Sequence, residues 1–400
     1  MAAGPGHSDA ETSQPTGTAA MHESRARNPL FGPNRFKLGI FSANCDGGLT
    51  MSLAPERWKA DWDDIAAMSK IADDAGIEFI LPVAKWRGYQ GDANIYGKSF
   101  ETLTHGAALG AITKRIAIFC TVHVPLVTPA FAAKALATID HVSHGRAGLN
   151  IVCGWNQAEF DLHGVTIDPD TRYDHGQEWF DIWSRLLEGG PEFDWESKFF
   201  HLKRLRTDPL SVQRPWPPVM SAGFSPRGRD FAARCADVLF LNVTELDQVP
   251  AVLADVSAHM QRYNRKISVF TMGHVVCRPT RKEAEDYFHY FAEEMADTAG
   301  QQYYRGQRGT TVPAEGETRI ARPFENRFTR QGKYRYDGAY PGVYPFVGSP
   351  DDIAAEIGRM AATGLAGCTV AFVDYLKEIP YFVQEVLPRL ERMGLRGPVM

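Results

Sequence analysis

A chain of 400 residues with 44% apolar content can bury a large core, and its length suits one α/β barrel with insertions. Its 43 basic and 48 acidic residues leave a formal charge of −5 and are mixed along the chain, which argues against a nucleic-acid-binding face. No apolar run reaches the ~18 residues of a membrane span, and Cys45, Cys120, Cys153, Cys235, Cys277 and Cys368 form no CxxC pair, so free buried thiols in a reducing cytoplasm are expected, with no metal site.

In chain order, residues 1–35 are rich in Ala, Gly, Ser, Thr and Pro and read as a disordered tail, with Met21 a second candidate start. Short apolar runs predict strands at 36–41, 79–81, 116–120, 147–152, 218–221, 238–241, 267–276 and 368–372. Between them, apolar residues at helical spacing predict helices at 62–76, 100–113, 129–139, 173–187, 226–235, through Met260, 281–295, 353–362 and 379–392. Strands alternating with helices imply a parallel sheet. Eight such units favour a (β/α)8 TIM barrel over residues 36–395, with a doubly wound open sheet as the alternative. Two stretches break the alternation. The segment near 190–217 looks like a small hairpin, and the one near 298–345 reads as a long lid-like insertion without secondary structure.

In such a barrel the carboxyl ends of the strands share one site. That set is Asn44, Cys45, Leu81, Val83, Lys85, Thr121, His123, Asn150, Trp155, Ser221, Ser225, Asn242 and Asp374. It holds few carboxylates, no metal triad and no GxSxG elbow, so hydrolysis has little support. The run Ser221–Gly228 is a strand-to-helix turn, readable as a phosphate cradle or as a plain cap by Ser225. Lys85 and Arg87 also read as solvated loop charges, Glu159 as a first-turn helix charge, and His123, beyond Thr121, as a residue facing substrate or as a structural histidine. In the long insertion Arg305, Arg308, Arg319 and Arg322 suit either an anionic ligand or a solvated loop.

Three segments carry a resemblance: residues 137–146 (ATIDHVSHGR), 149–156 (LNIVCGWN) and 221–225 (SAGFS). With the tail motifs 347–352 and 386–390 they resemble the bacterial-luciferase-like flavin-dependent monooxygenases, in particular the pyrimidine and dimethyl-sulfone monooxygenase branches. The resemblance implies a luciferase-like barrel that uses reduced FMN from a separate flavin reductase, and O2 as cosubstrate. It implies a small polar substrate, with C–N cleavage of an N-heterocycle or amide first and C–S cleavage of a sulfone or sulfonate second. An F420-dependent dehydrogenase and a non-catalytic flavin-binding protein share the barrel and are the alternatives. By position, Ala84 and Lys85 would flank the isoalloxazine, Asn150 would bond it, and Glu159 would sit at its edge. Arg172 and Tyr173 would reach the ribityl-phosphate arm and Ser225 the phosphate. Leu81, Val83, Thr121, Asn150 and Trp155 would form the oxygen pocket, with Thr121 and Asn150 donating hydrogen bonds to reduced oxygen. A homo-oligomer is expected by analogy.

Overall fold

The computed structural model describes residues 24–166, 168–310 and 343–398. Its strands are β1 (Lys37–Phe41), β2 (Phe79–Leu81), β3 (Ala117–His123), β4 (Ala147–Val152), β5 (Phe193–Glu196), β6 (His201–Leu205), β7 (Val219–Ala222), β8 (Val238–Leu241), β9 (Ser268–Cys277), β10 (Tyr344–Gly348) and β11 (Gly367–Ala371). β1, β2, β3, β4, β7, β8, β9 and β11 pair in parallel, and β9 bonds to both β8 and β11, so this sheet closes on itself as a barrel. β5 and β6 form the expected hairpin, antiparallel and apart from the barrel.

Parallel register puts alternate residues of neighbouring strands on one face. Gly39 stands beside Phe79, Phe79 beside Ala117, and Thr121 beside Asn150. The inner face is packed with rings: Phe79 lies 5.7 Å from Phe270 and 5.8 Å from Phe119. Glycine makes room for them, since a Cβ on Gly39 would sit 2.3 Å from the Phe79 ring. This alternation of large and small side chains fills the interior, so the barrel is a core rather than a pore.

Three segments depart from the sequence expectation. β10 pairs with β9 over Gly273–Cys277, along the edge that β8 leaves at Thr271, and makes a ninth strand where only insertion was expected. Residues Thr298–Thr310 of that insertion form a helix, and residues 311–342, with Arg319 and Arg322, lie outside the described residues. Residues 24–35 are also structured: Asn28 is fully buried and donates to Gln213 Oε1 at 3.1 Å, and Arg25 pairs with Asp237 at 3.3 Å. Low hydrophobicity hid these residues because a single apolar anchor, Leu30, enters the core and polar contacts hold much of the rest. Residues 1–23, including Met21, lie outside the described residues. All six cysteines are free and buried, and no described helix is long and apolar enough to cross a membrane.

The motif residues Asp140 and Arg146 sit at the amino-terminal end of β4, the face of a barrel that serves stability. Asp140 accepts from the Gln213 backbone N–H at 2.8 Å and from the Gln213 amide at 2.7 Å. Arg146 is 3% exposed and makes five hydrogen bonds, to Ser143 O, Thr113 Oγ1, Ile116 O, Gly110 O and Thr113 O, at 2.6–3.0 Å. Its guanidinium therefore closes the loops that enter β3 and β4. Arg146→Ala is expected to cost about 3 kcal/mol or more, because several buried acceptors lose their donor together, and Arg146→Lys is expected to recover only part, since an ammonium cannot span the fork. Urea unfolding measures both; a loss below about 1 kcal/mol for Arg146→Ala would remove this clamp from the account.

Candidate active site

Three neighbouring strands meet at the barrel mouth through two hydrogen bonds. Asn150 Nδ2 donates to Thr121 Oγ1 at 3.1 Å, and Thr121 Oγ1 donates to Pro82 O at 2.5 Å. Pro82 lies between Leu81, which is buried, and Val83, which is half-buried, so the two bonds bring Thr121 and Asn150, two of the five expected pocket residues, to the segment that holds Leu81 and Val83. The Thr121 proton is already spent on a carbonyl, which corrects the expectation that Thr121 donates to reduced oxygen. Asn150 Oδ1 is buried and has no hydrogen-bond partner among the described residues. Such an atom is costly unless a ligand donor meets it.

Lys85 and Glu159 form a buried ion pair across the loops that follow β2 and β4, each side chain under 5% exposed. Asn156 Nδ2 also donates to Glu159 Oε1 at 3.2 Å, and the Trp86 N–H reaches Glu159 Oε2 at 3.4 Å. The Lys85 ammonium lies 4.3 Å from the Tyr89 ring centroid and 5.7 Å from that of Tyr96, positions in which an aromatic face attracts a cation. Burial lowers the Lys85 pKa from the ordinary lysine range. These are not solvated loop charges, whereas Arg87 is exposed. Asn156, Tyr89 and Tyr96 escaped the sequence reading. Asn156 had a signal: it accepts from Ala158 N as a helix N-cap with Glu159 three residues on, the spacing of a capping pair.

A second cluster gathers where β7 gives way to the helix Pro226–Cys235. Ser225 Oγ accepts from Gly228 N at 3.0 Å and donates to Tyr173 Oη at 3.4 Å. The Arg172 guanidinium lies 5.1 Å from the Tyr173 ring centroid and donates to Gly154 O at 3.4 Å, next to the half-buried Trp155. A Cβ on Gly228 would stand 2.6 Å from Tyr173 Oη, and one on Gly223 would stand 2.5 Å from the Gly228 backbone. Ser225 thus caps its helix, and it does so inside a tight ring of hydroxyls beside an arginine. This donor set fits a phosphate, as the orphaned Asn150 oxygen fits a ring N–H.

Other strand-end residues serve the scaffold. Asn44 exchanges hydrogen bonds of 2.9 Å with both backbone groups of Val83. Asp374 caps the helix Tyr375–Glu385. Cys45 and Ser221 are buried, and burial raises the Cys45 thiol pKa. Asn242 Oδ1 is buried without a partner. Ala84, Lys85, Thr121 and His123 line one cleft together with Trp86, Phe100 and Val127.

A family model described as luciferase-like monooxygenase matches residues 36–367. The chain is 27% identical over 362 residues to the pyrimidine monooxygenase RutA of Allorhizobium ampelinum, covering 88% of this chain and 95% of that protein. It is 26% identical over 367 residues to an FMNH2-dependent dimethylsulfone monooxygenase of Pseudomonas putida, covering 89% and 96%. Among solved structures, the long-chain alkane monooxygenase LadA superposes with a TM-score of 0.78 at 19% identity, covering 92% of this chain and 94% of that one. At that identity the likeness speaks to the fold alone.

Three buried histidines surround or back this region. Burial pushes His105 down to about 4 and His123 and His274 to about 3, with Lys85 and His163 adding to the effect at His123. All three are therefore neutral in the folded protein at pH 7. From their ordinary value of 6.5 down to about 4 the unfolded chain binds the extra protons, so stability falls as pH falls through that window and levels off above it. His105 has no hydrogen-bond partner on either nitrogen among the described residues and packs against Trp62 and Phe100, with ring centroids 6.2 and 6.3 Å away. His105→Phe is expected to change stability by less than about 1.5 kcal/mol at pH 8 and to make the protein more acid-tolerant, with about one fewer proton in the acid slope. Urea unfolding at pH 5 and pH 8 tests this, and parallel pH profiles for variant and parent would refute it.

Proposed function

Since the chain belongs to the luciferase-like monooxygenase family, we propose that it is the oxygenase component of a two-component, FMN-dependent system in the cytoplasm. A separate flavin reductase supplies reduced FMN by diffusion and O2 is the cosubstrate. One oxygen atom enters a small organic substrate with C–N cleavage of an N-heterocycle or amide, and the other leaves as water. The observation that carries this reading is the buried, unpartnered Asn150 oxygen, held at the mouth by Thr121 and Pro82. Oxygenation of a sulfone with C–S cleavage is the second reading, supported by the nearly equal similarity to the dimethylsulfone enzyme. A homo-oligomer belongs to the proposal by analogy.

When bound, reduced flavin supplies the electrons that activate oxygen. The protein's part is to bind, orient and exclude water. Asn150 would accept a ring N–H through Oδ1, while one of its two amide N–H bonds stays committed to Thr121. Ala84 and the paired Lys85 and Glu159 would border the ring, with the Lys85 charge already matched. Leu81, Val83 and Trp155 present apolar surface that keeps water from the oxygen site. Arg172, Tyr173 and Ser225 hold the phosphate with charge-assisted hydrogen bonds.

Two measurements test this. With a reductase, NADH, uracil or dimethyl sulfone, and labelled O2, mass spectrometry is expected to find one labelled atom in the product. Asn150→Ala is expected to cut that yield at least about tenfold, the value of one lost buried hydrogen bond, with folding retained. Full yield in Asn150→Ala removes it from the mechanism, and no labelled product from either substrate class defeats the reading. The phosphate cradle predicts that the parent binds FMN far more tightly than riboflavin. In the Ser225→Ala, Tyr173→Phe double variant, FMN affinity is expected to drop by about 1.5–3 kcal/mol per lost bond while riboflavin affinity stays level. Equal parental affinity for FMN and riboflavin would show that no phosphate site exists there.

A further inference from the structure

We propose that His123 is a substrate-recognition residue that selects an uncharged molecule carrying both an N–H and a C=O group. This inference rests on the monooxygenase reading above and concerns which substrate the same site accepts. His123 stands on the inner face of β3, two residues beyond Thr121 and opposite Val152, one layer nearer the mouth than the Thr121–Asn150 pair. Its ring lines the cleft with Ala84, Lys85, Trp86 and Thr121.

The side chain is fixed but unsatisfied. Its backbone carbonyl accepts from Leu126 N at 2.9 Å and Val127 N at 3.2 Å, which locks the turn behind it. Its ring packs 5.3 Å from Phe160, the neighbour of Glu159 in the chain. The residue is 7% exposed, and Nδ1 is buried with no hydrogen-bond partner among the described residues. A polar atom left this way in an otherwise ordered wall is completed by whatever fills the cleft.

Charge around the cleft narrows the occupant. The Lys85 ammonium is matched by Glu159. The Glu101 carboxylate accepts from Leu103 N and Thr104 N at 2.8 Å as a helix cap. Among the described residues that line this cleft, the one cation, Lys85, is thus already paired and is not offered to a sulfonate or carboxylate. Burial, Lys85 and His163 all oppose a second proton on His123. A neutral imidazole has one donor and one acceptor nitrogen. An amide, lactam or imide answers both, whereas a sulfone offers acceptors only, and sites built on such hydrogen bonds reject analogues that lack a partner.

Calorimetric titration of uracil and of dimethyl sulfone into the oxidised-FMN-loaded protein tests this in the parent, His123→Phe and His123→Gln. The parent is expected to bind uracil at least about tenfold more tightly than dimethyl sulfone. His123→Phe, which keeps an aromatic ring and removes both nitrogens, is expected to lose about tenfold in uracil affinity while FMN affinity, measured separately, stays level. His123→Gln, which retains a donor and an acceptor, is expected to keep most of the preference. An unchanged uracil affinity in His123→Phe, a parent that does not bind uracil, or a matching loss of FMN affinity would each overturn the proposal. A parent that binds uracil through His123 yet yields no labelled product upholds the recognition role and removes the proposed reaction. Equal labelled product from uracil in parent and His123→Phe, with equal binding, does the reverse.

Discussion

The mouth of this barrel depends on a relay of two hydrogen bonds that crosses three parallel strands, from Asn150 through Thr121 to the carbonyl of Pro82. The parallel register that sets Thr121 beside Asn150 is its precondition. A slip of one residue would turn both side chains to the outer face. The relay also has a direction. Thr121 accepts from Asn150 and donates to Pro82, so the free end of the chain of dipoles is the Asn150 oxygen. The site is thereby an acceptor for a ligand N–H before any ligand arrives, which is the preorganised electrostatics a cofactor-binding wall requires.

Next to the relay, two full charges are removed from water and set against each other. A buried pair gains little net stability over apolar residues of the same volume. The Lys85–Glu159 pair also joins the loop after β2 to the loop after β4 and matches the Lys85 charge within the cleft wall. The ammonium is held further by the Tyr89 and Tyr96 rings, and the carboxylate by Asn156 and the Trp86 N–H. With the Lys85 ammonium answered by Glu159, the recognition role proposed for His123 rests on hydrogen bonds to a neutral imidazole.

The barrel was legible because eight apolar runs alternate with amphipathic helices, a pattern with few other solutions. Leu81, Thr121, Asn150 and Ser225 were legible as strand ends, since closure brings carboxyl termini together whatever the register. The details of partnership were not. That Thr121 spends its proton on Pro82 depends on where β2 stops, and β2 is only three residues long. Asn156, Tyr89 and Tyr96 act on Glu159 and Lys85 from loops, whose paths no periodicity encodes. β10 was hidden because Tyr344–Gly348 follows a long polar insertion and pairs only with the extension of β9.

The segments that break the alternation account for much of the order at the mouth. Asp297, just ahead of the helix Thr298–Thr310, accepts from Ala93 N at 2.9 Å, Asp92 N at 3.3 Å and Gly300 N at 3.0 Å. One carboxylate thus joins the start of the insertion to the loop after β2. From the same helix, Tyr304 packs 5.0 Å from Tyr89, the ring that faces Lys85. Beyond the barrel rim, Val276 on extended β9 and Val347 on β10 build a separate apolar cluster with Phe288 and Phe291. A barrel alone would leave the Lys85 loop solvated, and an ion pair in water contributes little. Tyr89 and Tyr96 from the loop after β2 supply the aromatic wall against the pair, and Tyr304 of the insertion backs the Tyr89 ring, so the chain length beyond a minimal barrel helps to hold that wall in place.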